Sequence, residues 1–144
     1  DKFHTCKSRV HPILGDITYP KKFIKKNKTF DLLLDNYSLC ANTYKKIINA
    51  YYYYYCLLKN DGFFLTNCFG LETTGFKTGK KLSSYTYKNV SEGLLQMKGI
   101  VTFWDRDILN HLFEDIGYKI VYTERILEER QGVKVEKLIT CLSK

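Results

Sequence analysis

Two apolar runs separated by one amphipathic stretch constrain this chain more than any other feature. FDLLL (Phe30 to Leu34) and FFLTNCF (Phe63 to Phe69) read as strands. Between them, TYKKIINAYYYYYCLLKN places Tyr44, Ile47, Ile48, Tyr51, Tyr55 and Leu58 at helical spacing, with Lys45, Lys46, Asn49 and Lys59 largely elsewhere. Parallel strands need a crossover of roughly a dozen residues, and this helix supplies it. The two strands are therefore expected to be parallel neighbours joined by the helix. Wrapping Tyr51 to Tyr55 around that helix sends some rings inward and leaves others at the rim with wetted hydroxyls. Asn60-Asp61-Gly62 is expected to stop the helix, since glycine tolerates the left-handed backbone of a tight stop.

The first run ends abruptly in Asp35-Asn36-Tyr37-Ser38, an acid, an amide, a phenol and a hydroxyl at the tip of a buried strand. Ligands of open parallel sheets bind just beyond the carboxyl ends of their strands, so this stretch reads as the lip of a small-molecule site. Upstream, HPILGDI (His11 to Ile17) is a short apolar run closing on Gly15-Asp16, expected as a further strand. Downstream, Leu71 to Phe103 is glycine-rich and lacks helical periodicity, with two β-like pieces, SSYTYKNV and GIVTFW. An excursion of that length is typically a lid or a binding loop. Asp105 is then a plausible N-cap, Asp107 suits the positive end of a helix, and Ile108, Leu109, Leu112, Phe113 and Ile116 line one face before Gly117 stops it. YKIVYTERI and KVEKLITCLS, separated by a turn near Gln131-Gly132, read as an antiparallel pair.

Composition narrows the class. A chain of 144 residues with 44% hydrophobic content supports one domain with a real core. No run approaches the ~18 to 20 apolar residues of a membrane span. Five cysteines, an odd number without a CxxC pair, favour reduced thiols and a cytoplasmic protein. The net charge of +8 invites a nucleic-acid partner, but much of it lies in KKFIKKNK and KTGKK, with few arginines and no zinc-finger or RNP-type motif. Solvated lysine loops are the favoured reading. His4, Cys6 and His11 match no usual zinc spacing, and no metal is expected.

From about Pro12 onward the order of pieces resembles the later part of a class I (Rossmann-like) S-adenosylmethionine-dependent methyltransferase. A strand closing on Gly-Asp precedes FDLLLDNYSL and a helix. LLKNDGFFLT then stands where the family usually has Leu-Lys-Pro-Gly-Gly. A substrate-binding insertion, the helix in FWDRDILNHLFEDIGY and a closing β-hairpin complete the set. The resemblance implies an α/β fold, a mostly parallel sheet with a closing antiparallel hairpin, and one domain over residues 1–144 with a substrate-binding insertion over 71–103. The family's glycine-rich cofactor loop, and the following strand with its ribose-binding acid, are missing from this sequence. The resemblance therefore implies the carboxyl-terminal part of a longer methyltransferase, or a cofactor site completed by another chain.

The same resemblance implies roles. Gly15, Asp16 and Ile17 would hold the adenine end of S-adenosylmethionine, Asp16 accepting from the amino group and Ile17 covering the ring. Asp35, Asn36 and Tyr37 would border the methyl group and the incoming nucleophile. A sulfonium needs little beyond in-line alignment and exclusion of water, with a carboxylate to accept a proton where the nucleophile carries one. Asp35 is the candidate catalytic group, with a structural cap on the next turn as the competing role. Tyr37, Phe69, Gly70, Tyr85, Tyr87 and Trp104, with the charge of Glu92, would face the substrate, although each ring could equally be ordinary packing. Two functions are expected to compete: methyl transfer to a small-molecule O, N or C nucleophile, and a non-catalytic binding or scaffold subunit, RNA-associated through its lysines. A homodimer is compatible with either.

Overall fold

Residues Phe30 to Gly70 form the expected strand–helix–strand unit. The computed structural model describes residues 11–24 and 29–144. Strand β1 (Phe30–Asn36) leads through a single-turn 3-10 helix at Leu39–Ala41 into α1 (Tyr44–Leu57), and β2 (Leu58–Gly70) follows directly. β1 and β2 are parallel, from Phe30 opposite Leu58 to Asn36 opposite Asn67. The insertion contributes β3 (Lys80–Lys81), β4 (Thr86–Lys88) and β5 (Ile100–Trp104). After α2 (Arg106–Ile116), β6 (Lys119–Arg130) and β7 (Val133–Ser143) form a long hairpin.

The sheet order is β3-β4-β5-β2-β7-β6, with β1 pairing β2 beside this path. β2 is parallel to both β1 and β5, whereas β2–β7, β6–β7, β3–β4 and β4–β5 are antiparallel. Phe69 pairs with Lys137 of β7 and with Phe103 of β5. A strand has two edges, so β5 must occupy the edge that β1 vacates after Asn36.

Two cores result. Tyr51, Phe64, Trp104, Leu109, Phe113, Tyr118, Leu138 and Leu142 pack between the sheet and the two helices. Phe69, Tyr87, Val90, Val101, Phe103 and Cys40 form a second cluster beneath the insertion. The alternation of β5 serves both, because successive side chains leave opposite faces: Trp104 joins the first and Val101 and Phe103 the second. The tyrosine run divides as expected, Tyr51 buried, Tyr52 exposed, and Tyr53 to Tyr55 between. Asp105 caps α2, its carboxylate accepting from the backbone N–H of Asp107 and Ile108, and Gly117 ends the helix at φ 108°.

Two expectations need correction. His11 to Ile17 is not a strand. The Asp16 carboxylate accepts from the Thr18 N–H and hydroxyl, and the Asp16 carbonyl accepts from the Tyr19 N–H, folding the segment into a turn. Ile13 and Leu14 remain exposed. Nor does Asn60-Asp61-Gly62 stop the helix. Helix α1 ends at Leu57, Leu58 is already extended, and the three residues lie within β2, where the β1 register jumps from Phe30–Leu58 to Leu32–Phe63. Gly62 belongs to that irregularity because a Cβ there would lie 2.9 Å from the Phe30 carbonyl oxygen. His4, Cys6 and Lys25 to Lys28 lie outside the described residues.

Gly70, the last residue of β2, has an equally specific cause. A Cβ there would fall 2.2 Å from Cδ of Glu136, a carboxylate buried on β7. Gly70→Ala is expected to lower stability by about 2 to 3 kcal/mol, through overpacking and loss of the hydrogen bonds that Glu136 makes. In a Glu136→Ala background the same change should cost much less. Urea unfolding of the four variants measures the coupling, and equal costs in both backgrounds would reject the explanation.

Candidate active site at the carboxyl ends of the strands

The tip of β1 is organised by Asp35. The residue is buried, and its Oδ1 accepts from the backbone N–H of Ser38 and of Leu39, both at 3.1 Å. Its Oδ2 accepts from the Thr66 hydroxyl at 3.2 Å, on the neighbouring strand. Burial pushes the Asp35 carboxyl above its ordinary value, and these three hydrogen bonds oppose that shift. The turn that starts at Ser38 is thereby tied to the sheet. Next to it the Asn36 amide oxygen accepts from the Asn67 side chain at 2.9 Å.

Tyr37 stands at the site in an unusual backbone state. Its φ is 60°, a region that costs a bulky residue free energy and tends to persist at ligand-binding tips. The ring stacks on Phe69, centroids 4.7 Å apart. Behind this pair the thiols are quenched: burial raises Cys40 to about 12 and pushes Cys68 well above the usual thiol range. Both are packing groups.

The insertion closes the flank of this tip. Thr86 and Thr102 hydroxyls meet at 2.7 Å, Thr102 donates to the Asn42 carbonyl at 2.7 Å, and the Tyr44 N–H donates to Thr86 at 3.3 Å. This chain of hydroxyls fastens β4 and β5 to the segment that enters α1. Tyr85 is half-buried, its ring 6.4 Å from that of Tyr44. Tyr87 and Trp104, the other aromatic candidates, are 4% and 1% exposed and serve the two cores. Glu92 is exposed.

Gly15, Asp16 and Ile17 lie on the other flank. The Tyr54 hydroxyl donates to the Ile17 carbonyl at 3.0 Å, so the turn docks on α1 beside Leu33 and Leu34 of β1. Asp16 is solvent-facing, and Thr18 holds its carboxyl below the usual range, aided by Lys46 and Lys22. Together with Leu33, Leu34 and Tyr54 the turn lines a crevice of about 190 Å³. Gly15 is required there, since a Cβ would fall 2.4 Å from the Phe23 ring.

One polar cluster was not anticipated from the sequence. Over Gly70, the buried Glu136 accepts from the Glu72 N–H at 2.7 Å and pairs with Arg125, which also pairs with Glu72. With Trp104 and Asp105 to Asp107 these groups line a cavity of about 340 Å³. The signal was present: Glu136 is in phase with Leu138, Thr140 and Leu142, so the alternation of β7 points a charge at the core.

This arrangement is that of the class I S-adenosylmethionine-dependent methyltransferase fold, and solved structures share it. The chain is similar to the 1,6-didemethyltoxoflavin-N1-methyltransferase of Burkholderia thailandensis, solved with 1,6-didemethyltoxoflavin and S-adenosylhomocysteine bound. The TM-score is 0.70 at 17% identity, over 98% of this chain and 53% of that one. A S-adenosylmethionine-dependent methyltransferase of Methanosarcina mazei gives 0.69 at 12% identity, over 90% and 65%. The CcbJ methyltransferase of Streptomyces caelestis gives 0.62 at 14% identity, over 94% and 64%. The chain thus spans between about half and two thirds of the length of these structures. No family model and no curated protein matches its sequence. Among the described residues, no helix is long and apolar enough to cross a membrane.

The Asp35 geometry predicts a pH effect. Because its folded value is raised, its favourable contribution is fully present below the unfolded value and is lost as pH rises through the folded one. Asp35→Asn keeps the acceptor for Ser38 and Leu39 while removing the charge. As pH rises from below the unfolded carboxyl value through the raised folded one, the parent should lose stability relative to the variant. Denaturation midpoints measure this, and parallel profiles would contradict the assignment.

Proposed function

We propose that the protein is a methyltransferase that uses S-adenosylmethionine and transfers its methyl group to a small-molecule O, N or C nucleophile. The observation that carries this reading is the built tip of β1, where Asp35 fixes the turn, Tyr37 is held at φ 60° against Phe69, and β5 walls the space beyond. The fold shared with methyltransferase structures supports it.

The flank at Gly15 to Ile17 fits the adenine end of the cofactor. Its crevice is mainly apolar, as a planar base requires, and Asp16 adds one acceptor for an exocyclic amine. Bound there, the cofactor would supply an electrophilic methyl on a sulfonium with a good leaving group. Asn36 and Tyr37 would then border the methyl and the nucleophile. Asp35 serves chiefly as a positioning group, because three hydrogen bonds already occupy most of the roughly four lone-pair sites of a carboxylate. The tip and the wall together exclude water and set the line of attack. β1 pairs only with β2 among the described residues, and Leu32 and Leu34 on it are exposed. The other edge of β1 suits a further strand, which would bring the glycine-rich part of the cofactor site, and the face that carries Leu32 and Leu34 suits a covering element.

Calorimetric titration of the intact protein with S-adenosylhomocysteine tests the reading. Saturable 1:1 binding is expected, and Asp16→Ala should weaken it roughly tenfold or more, as for a lost hydrogen bond to a charged group. Binding unaffected by Asp16→Ala would remove Asp16 from the site. Absence of binding by the intact protein would favour the scaffold function instead.

A further inference from the structure

On the face of the sheet opposite the helices lies a groove of about 480 Å³ that the cofactor reading leaves unused. Its floor is the end of the β6–β7 hairpin, where Glu128 pairs with Val135 and Arg130 with Val133 in register. Its wall is the turn at Gly93-Leu94. The groove is a fixed feature. Thr74 binds β7 through two hydrogen bonds, its N–H to the Lys134 carbonyl at 2.9 Å and the Lys134 N–H to its hydroxyl at 2.8 Å. Gly93, at φ 78°, packs on Thr74 so closely that a Cβ would lie 2.5 Å from the Thr74 carbonyl oxygen. Turn and hairpin are therefore held at a set separation.

The groove adjoins the core cluster on which Tyr37, at the tip of β1, also packs. Val135 and Tyr37 both pack against the cluster that includes Phe69. Its chemistry is specific. Leu94, Val133 and Val135 make most of it apolar, yet Leu94 remains 60% exposed, surface that a ligand could cover. Its two charges are not equivalent. Glu128 is hydrogen-bonded to Lys137 at 2.5 Å, which lowers its carboxyl and neutralises it locally. Arg130 makes no ion pair among the described residues, although it lies within electrostatic reach of Glu128. An apolar slot with one uncommitted guanidinium matches a carboxylate on a hydrophobic body, which the planar fork of arginine can hold through two hydrogen bonds.

We propose that this groove binds the methyl acceptor, and that the acceptor is a small hydrophobic carboxylic acid whose carboxylate sits on Arg130 while its apolar body lies between Leu94 and Val133–Val135. The substrate role rests on the methyltransferase reading; the carboxylate site does not. The test is titration of the intact protein, without cofactor, by 3-phenylpropanoate and by the neutral 3-phenylpropanamide, followed by NMR. The acid should bind at least about fivefold more tightly than the amide. Arg130→Gln should make the two equal by weakening the acid, whereas Leu94→Ser should weaken both. Equal binding of acid and amide to the parent, survival of the preference in Arg130→Gln, or binding of neither probe would overturn the proposal. A parallel titration with S-adenosylhomocysteine separates the two readings: a carboxylate preference without cofactor binding would refute methyl transfer and leave the groove in place.

Discussion

A β-strand has two edges, and β2 serves three partners. This is feasible only because β1 stops at Asn36 while β2 runs on to Gly70, so that β5 can pair where β1 has ended. The stop is enforced chemically. Asp35, still within β1, turns its carboxylate to the amides of Ser38 and Leu39 and so bends the chain out of the sheet. Were β1 two residues longer, the insertion would lose its anchorage on β2, and the wall beside the candidate site with it. The acid at the strand tip is thus an architectural device before it is anything else.

Two buried carboxylates flank the carboxyl end of β2, and they are stabilised differently. Asp35 relies on neutral donors, so burial outweighs them and raises its carboxyl above the ordinary value. Glu136 meets Arg125, a cation, together with the Glu72 amide, and these oppose the desolvation of its charge. The absence of a side chain at Gly70 is what leaves room for it.

Much of this was legible wherever a local pattern and its long-range consequence agreed. The spacing of Tyr44 to Leu58 gave the helix, and with it the parallel pair. Asp105 and Gly117 marked both ends of α2 through chemistry confined to a single turn. Legibility failed where two local signals conflicted. Ile13 and Leu14 suggested a strand, but Asp16 and Thr18 close a turn within two residues and need no partner strand to do so. At Asn60-Asp61-Gly62 the turn-forming composition was real, but it was spent on a change of strand register. Tyr87 could be read as a pocket wall only while the insertion was taken as a loop, whereas Trp104 still borders the cavity beside Arg125. Once β4 and β5 form, strand alternation carries both into cores. The φ of Tyr37 and the hydroxyl chain from Asn42 to Thr86 depend on tertiary contacts that no short stretch encodes.

The packing of the insertion also bears on timing. A flap that swings must release few contacts when it opens, which is how many enzymes gate the departure of product. Here Phe76, Tyr87, Val101 and Phe103 form a continuous apolar filling, and β5 is stitched into the main sheet. Displacing that layer would amount to partial unfolding, so the segment is built as a fixed wall. A ligand held at the proposed sites would therefore come and go past a wall that stays in place, and its residence time would be set by how tightly it is held and hardly by the motion of a door.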